Sequence, residues 1–173
     1  MTKKAEQIRK FSDEELMKRF QEADQSAYDE IVYRYKDQLF NFAYRFLGNV
    51  YEAEDVVQET FVRLYTKKHA YQRIAKFSTW LYTITGNLAK TELRKRKRRN
   101  LTPISQMGHD DQIFEIVDSS ASPERDVDSR LTEVLLQKAI DKLPARFKQV
   151  IILVDIQELP YEDVAEIIKV PFG

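Results

Sequence analysis

Positive charge is the densest chemical feature of this chain. Lys90, Arg94, Lys95, Arg96, Lys97, Arg98 and Arg99 are opposed in their stretch only by Glu92. On a helix, Lys90, Arg94 and Arg98 share one face at four-residue spacing. Like charges so close repel one another unless a polyanion lies against them, and nucleic-acid phosphates fill that role with release of counterions. A solvated helix end, where positive charge suits the macrodipole, accounts for the same residues. The stretch just before the cations favours the first reading. In Phe77-Ser78-Thr79-Trp80-Leu81-Tyr82-Thr83-Ile84-Thr85-Gly86-Asn87-Leu88, Phe77, Leu81, Ile84 and Leu88 form an inward stripe. Thr79, Tyr82, Thr83, Gly86, Asn87 and Lys90 then face out. Aromatic and amide groups beside cations suit single-stranded bases, which stack on rings and offer hydrogen-bonding edges. Trp80 reads as core and Tyr82 as surface.

The preceding helix carries the opposite charge. Glu52, Glu54, Asp55, Gln58 and Glu59 lie across from Val50, Ala53, Val57, Phe61 and Leu64. Such a face is no place for phosphate. It is solvated surface, or it meets a basic protein partner. Catalytic constellations are missing. His69 and His109 lie in separate loops without metal-ligand spacing. Glycines at only 48, 86, 108 and 173 permit neither a phosphate loop nor a Gly-x-Ser-x-Gly elbow. With no cysteine there is no thiolate nucleophile and no disulfide framework. No enzymatic activity, metal or cofactor is therefore expected. No apolar run is long enough to cross a bilayer, and the start lacks a signal-peptide core, so a soluble, cytoplasmic protein is expected.

These residues must be positioned by helices. Four glycines and five prolines in 173 residues, 43% of them hydrophobic, leave long runs with apolar residues every three or four positions. Ser12-Asp13-Glu14-Glu15 is a capping box opening a helix through Phe20. Asp24 caps a second, with a stripe of Tyr28, Ile31, Val32, Tyr35, Leu39, Phe42 and Phe46, and Gly48 ends it. Asn49 caps the acidic helix. A loop from His69 to Lys76 leads to a fourth helix that runs into the cations. Between Leu101 and Ser122 the period fails amid Pro103, Gly108, several serines, Asp110, Asp111, Glu115 and Asp118, the mark of an acidic linker. Ser122-Pro123 starts a further helix with Leu131, Val134, Leu135 and Ile140 on its stripe. Pro144 opens another through Ile156, and Pro160 a last one through Ile168. Val150 to Val154 is too short to tell strand from helix. The fold class is all-α, with a helical domain over 1–100, a flexible linker over 101–122 and a second helical domain over 123–173.

Taken together the segments resemble a known family. Gly48-Asn49-Val50-Tyr51-Glu52-Ala53-Glu54-Asp55-Val56-Val57-Gln58-Glu59-Thr60-Phe61, then Phe77-Ser78-Thr79-Trp80-Leu81-Tyr82 and Asn87-Leu88-Ala89, resemble domain two of bacterial extracytoplasmic-function sigma factors of the sigma-70 family. Leu143-Pro144-Ala145-Arg146-Phe147-Lys148-Gln149-Val150 and Leu159-Pro160-Tyr161-Glu162-Asp163-Val164-Ala165-Glu166-Ile167-Ile168 resemble sigma domain four up to its helix-turn-helix. The resemblance implies an alternative sigma factor that binds core RNA polymerase and directs promoter-specific initiation, with no catalysis of its own. It implies that Asp55, Gln58, Glu59 and Phe61 dock on the polymerase clamp helices. It implies that Tyr71, Lys76, Thr79, Tyr82, Asn87, Lys90, Arg94, Arg96 and Arg98 handle the −10 element, holding a base flipped from the non-template strand. An anti-sigma factor is a further implied partner, and the linker resembles the segment that threads the polymerase cleft.

Three departures from the family pattern stand out. Thr83 and Gly86 occupy positions where a large polar residue is usual, and Arg73 and Ile74 replace a frequent glycine and polar residue in the loop. The chain also stops at Val170-Pro171-Phe172-Gly173, before the recognition helix that would enter the major groove at a −35 element. That end predicts a longer natural protein and an apolar patch over Val164, Ile167 and Ile168. Two other functions compete: a helix-turn-helix regulator acting on duplex DNA without polymerase, and a helical adaptor that binds only proteins.

Overall fold

The structure, a computed structural model, describes residues 7–72, 74–101 and 123–171, and among them there is no strand. Helix α1 spans Asp13–Gln21. Its capping box is formed: the Ser12 hydroxyl accepts from the Glu15 amide at 3.2 Å, and Glu15 Oε2 accepts from the Ser12 amide at 2.8 Å. Helix α2, Gln25–Leu47, is capped by Asp24 and closed by Gly48 at φ +67°, a conformation that a residue without Cβ takes at least cost. Helix α3, Val50–Thr66, starts where Asn49 Oδ1 accepts the Glu52 amide at 3.0 Å. A short 3₁₀ turn at Lys68–Ala70 leads into the loop before α4, Phe77–Leu101. The stripe of α2 supplies the centre of the core, with Ile31, Leu39, Phe42 and Phe46 fully buried between α1, α3 and α4.

The C-terminal half contains α5, Pro123–Asp141, α6, Ala145–Ile151, and α7, Tyr161–Ile168. Helix α6 runs on through a wider π-type turn over Ile152–Ile156, where the Gln157 amide donates to the Ile152 carbonyl at 2.9 Å. Residues 150–154 are thus helical. The linker assigned to 101–122 lies, apart from Leu101, outside the described residues, as does Arg73.

Two expectations change once the halves are seen together. The apolar patch expected on the last helix is absent: Val164 and Ile167 are buried, because α7 lies along α4 as well as on α6 and the π turn. They join a single core that also holds Phe42 and Leu81 of the N-terminal half. Conversely, the stripe expected on α5 is open. Leu131 and Leu135 are each 58% exposed, and only Ile140 is buried. The reason is that α5 is fastened near its C-terminal end. Gln137 Nε2 donates to the Arg45 carbonyl at 3.0 Å, and Lys148 Nζ donates to Asp141 Oδ1 at 2.8 Å and to the Phe46 carbonyl at 3.3 Å.

The Asn49 cap is exposed and local, so its loss should act on α3 alone. Asn49→Ala is expected to lower stability by about 1 kcal/mol, read from the urea unfolding midpoint at unchanged slope.

Candidate nucleic-acid interface

Helix α4 has two buried faces. On the first, Phe77, Leu81, Thr85 and Ala89 enter the core. The contact with α3 is made there by small hydroxyl residues. Thr60 Oγ1 lies 3.3 Å from Thr85 Oγ1, and each also bonds a carbonyl of its own helix, Val56 at 2.8 Å and Leu81 at 3.0 Å. Both buried hydroxyls are satisfied, so the two helices approach closely without an orphaned polar atom.

The second face was expected to meet solvent or nucleic acid, and the C-terminal half covers it instead. Lys76 Nζ pairs with Asp163 Oδ2 at 2.8 Å, which holds the ammonium above its ordinary pKa. The Tyr82 hydroxyl donates to Gln157 Oε1 at 2.7 Å. A Cβ placed on Gly86 would sit 2.6 Å from Gln149 Nε2, so glycine here lets the two halves close. Lys90 is pushed below its ordinary pKa by burial, by Arg94 and by Lys169 of the C-terminal half. Tyr82, 1% exposed, and Thr79, 2% exposed, are therefore buried and not outward-facing as the spacing suggested. The Tyr82 ring also meets Phe42 edge-on at 5.6 Å, and burial drives its phenol well above the usual tyrosine range. Thr79 Oγ1 has no hydrogen-bond partner.

The loop residues divide in the same way. Tyr71 is buried against Phe77 and Trp80, with ring centroids at 5.6 and 5.4 Å, and its hydroxyl donates to the Ala75 carbonyl at 3.0 Å. It shapes the loop from inside and offers no ring for stacking. Ile74 is 87% exposed beside it. Of the candidate residues on α4, Asn87, Arg94 and Arg98 are exposed. Arg94 lines an open cleft of about 680 Å³ with Lys90, Lys97 and Arg146, between α4 and the start of α6. Arg96 is engaged within the fold: it donates to Glu52 and, at 2.9 Å, to the Leu47 carbonyl that ends α2. Glu92, the one carboxylate of the basic run, pairs with Lys95 at 3.0 Å and Arg99 at 2.6 Å, and those cations hold it below the usual carboxylate range.

On α3, Asp55, Gln58 and Glu59 are exposed, with Glu59 paired to Arg63 at 2.8 Å. Phe61 is different. Its side chain is buried and its carbonyl accepts from the Tyr28 hydroxyl at 3.3 Å, so it belongs to the core and not to a docking surface. Exposed Val62, Tyr51 and Tyr65 are the apolar groups on the helix beside those acids. Among the described residues no cluster of His, Asp and Glu could hold a metal, and no helix is long and apolar enough to cross a membrane. Gln149, Gln157 and Asp163 were missed as parts of this site. Their partners lie far away along the chain, and no local period signals such a contact.

Comparison with known proteins places these elements in order. Residues 31–99 match the family described as Sigma-70 region 2, and residues 133–171 match Sigma-70, region 4. The chain is 37% identical over 159 residues to the ECF RNA polymerase sigma factor SigW of Bacillus subtilis, covering 91% of this chain and 85% of that protein. It is 32% identical over 165 residues to the RNA polymerase sigma-H factor of Pseudomonas aeruginosa, covering 93% and 84%. The fold is similar to that of CnrH, solved in complex with the cytosolic domain of CnrY, with TM-score 0.67, 19% identity and coverage of 92% and 84%. It is also similar to that of RpoE of Bartonella quintana, solved with the anti-sigma factor NepR, with TM-score 0.60, 22% identity and 83% of each chain.

The basic run separates into cations that hold the fold and cations that do not. Arg96→Ala should destabilise the protein by about 1.5–3 kcal/mol, because it strands Glu52 and a helix-ending carbonyl. Asn87→Ala, at an exposed position, should stay within about 0.5 kcal/mol of the parent. Paired denaturant titrations check both.

Proposed function

This chain belongs to the extracytoplasmic-function sigma factors of the sigma-70 family, and we propose that its α3–α4 pair couples polymerase docking to reading of a −10 element. A factor of this family directs RNA polymerase to promoters. The observation that carries the residue assignment is the opposition of two chemistries on two helices packed together. Asp55, Gln58 and Glu59 stand exposed on α3, while Asn87, Arg94 and Arg98 stand exposed on α4. An acidic face suits a basic protein surface and repels phosphate, so α3 is assigned to the polymerase clamp helices. Cations beside an amide suit a strand whose backbone must be held while a base edge is read, so α4 and the 71–76 loop are assigned to the −10 non-template strand.

In this reading residues 1–100 and 123–173 are the two functional units, joined by the segment 101–122. The second unit is assigned to a −35 duplex. The factor works in the cytoplasm without catalysis of its own. An anti-sigma factor is proposed as a regulatory partner, since the similar RpoE was solved with one.

Charge reversal at Asp55 and Glu59 (Asp55→Lys, Glu59→Lys) is expected to weaken co-purification with core RNA polymerase at least about tenfold, with helicity unchanged. Core binding as strong as the parent's would remove α3 from the docking role. Asn87→Ala should impair promoter opening while core binding holds. Arg98→Ala should weaken DNA binding across all sequences and reduce the salt slope by about 1. Equal losses for Asn87→Ala on matched and scrambled −10 strands would argue against base reading there.

A further inference from the structure

Four cations that the fold leaves without a carboxylate line one hollow. Along the basic run, Lys95 and Arg99 share Glu92, and Arg96 is taken by Glu52. Lys90, Arg94 and Lys97 form no ion pair among the described residues, and neither does Arg146 at the start of α6. These four line the open cleft of about 680 Å³ together with Leu93 and Ala145. No carboxylate lines it among the described residues. The run is thus sorted by direction: cations turned toward neighbouring acids are paired, and those turned into the cleft are left for something else.

The size and chemistry of the cleft suit a small anion. Its volume falls within the range of about 300–1,000 Å³ usual for small-molecule sites. Positive charge stands on both walls, from α4 and from α6, so the walls repel each other when nothing lies between them. Lys90 feels this directly: burial first, then Arg94 and Lys169, push its ammonium below the ordinary lysine range. An anion between the walls removes that repulsion. One carboxylate carries too little charge for four cations, whereas linked phosphates carry enough. Arg94 and Arg146 bring planar forks that match phosphate oxygens two at a time, and Lys90 and Lys97 act as point charges. The Arg146 guanidinium lies over the Phe147 ring at 4.5 Å, a contact that leaves its edge free to donate. Leu93, Ala145 and the aliphatic stems of the cations add an apolar lining on which a flat ring can rest.

We propose that the cleft between α4 and the start of α6 is a binding site for a compact polyphosphate, bare or carried on a nucleoside, held by Lys90, Arg94, Lys97 and Arg146. The inference stands on the cleft and does not need the assignment of α4 to DNA. Arg146 distinguishes the site from a path for a strand, because it reaches the cleft from the opposite wall and has no place on the exposed side of α4.

Isothermal titration calorimetry on the full chain at low salt tests this with sodium tripolyphosphate, with ATP as a second arm and sodium sulfate at matched ionic strength as the reference anion. The variants are Arg146→Ala and Lys97→Ala, both at exposed positions, and Lys36→Ala serves as an exposed lysine of α2 outside the cleft. Circular dichroism confirms that each is folded. Tripolyphosphate should bind one to one and at least about tenfold tighter than sulfate, and Arg146→Ala and Lys97→Ala should each weaken it at least about fivefold, with Lys36→Ala equal to the parent. ATP binding tighter than tripolyphosphate would assign the site to a nucleoside polyphosphate, and equal or weaker binding would assign it to the bare chain. Tripolyphosphate held no better than sulfate, or weakened as much by Lys36→Ala as by Arg146→Ala, would reduce the cleft to ordinary surface charge and overturn the proposal. Fluorescein-labelled dT12, read by anisotropy, gives the remaining outcome: if Arg146→Ala weakens dT12 as much as tripolyphosphate, the cleft is part of a strand path and the small-ligand site is overturned.

Discussion

Everything in this fold depends on α4 being buried from two sides. One face is held by the close approach to α3 through Thr60 and Thr85, and the other by Gln149, Gln157 and Asp163 from the far half of the chain. A helix caught in this way has no single apolar stripe. Its first side can be apolar because it faces an ordinary core. The second must be polar and small, because any residue there serves two environments. Gly86 meets that requirement, where a side chain would prop the halves apart. The departure from the family pattern at Gly86 thus has a structural meaning. Gly86 leaves room for the Gln149 amide, and a side chain there would collide with it.

The sequence made the local elements legible because each is specified within a few residues. The Ser12–Glu15 box, the Asp24 and Asn49 caps and Gly48 are local signals, and all four occur in the structure as caps. The α2 stripe was readable for the same reason, since a period of 3.6 on one face is enough to identify it. What could not be read was burial by distant residues. Tyr82 and Thr79 are polar-capable groups on a face that looks amphipathic, yet both are buried, and Tyr82 is met by Gln157 from the C-terminal half. The α5 stripe misled in the opposite direction: Leu131 and Leu135 have the period of a buried face but nothing among the described residues covers them. Periodicity shows that a face exists and does not show what lies on it.

The candidate site was legible in its composition and less so in its division of labour. Tyr82, Asn87, Arg94, Arg96 and Arg98 all lie on α4, while Tyr71 and Lys76 lie in the loop before it, and their surroundings differ. Arg96 closes the end of α2 through the Leu47 carbonyl and Glu52, and Tyr71 braces the loop from within. Arginine suits such a structural post, since its planar fork can bond a carboxylate and a carbonyl at once. Lysines and arginines at the outer edge of the same run keep their charge toward solvent. Neighbours in sequence thus separate into anchors and contacts by which side of the helix they leave.

Charge placement links these parts. The chain is formally neutral, with 28 basic and 28 acidic residues, yet the surfaces are polarised by helix. Acids dominate the open side of α3, and cations line the cleft between α4 and α6. Long-range attraction to a polyanion is weak for a neutral molecule, because the acidic face cancels the basic one beyond a Debye length of about 8 Å. Neutralising the acids by contact with a basic partner would remove that cancellation. On the proposed assignment, docking through α3 would leave a molecule of net positive character, whose exposed side is the end of α4. With α3 assigned to polymerase and α4 to DNA, docking and nucleic-acid attraction would be coupled by electrostatics. On the proposed assignments, the charge pattern that weakens long-range attraction of the separate protein to a polyanion would favour that attraction once the acids of α3 are neutralised.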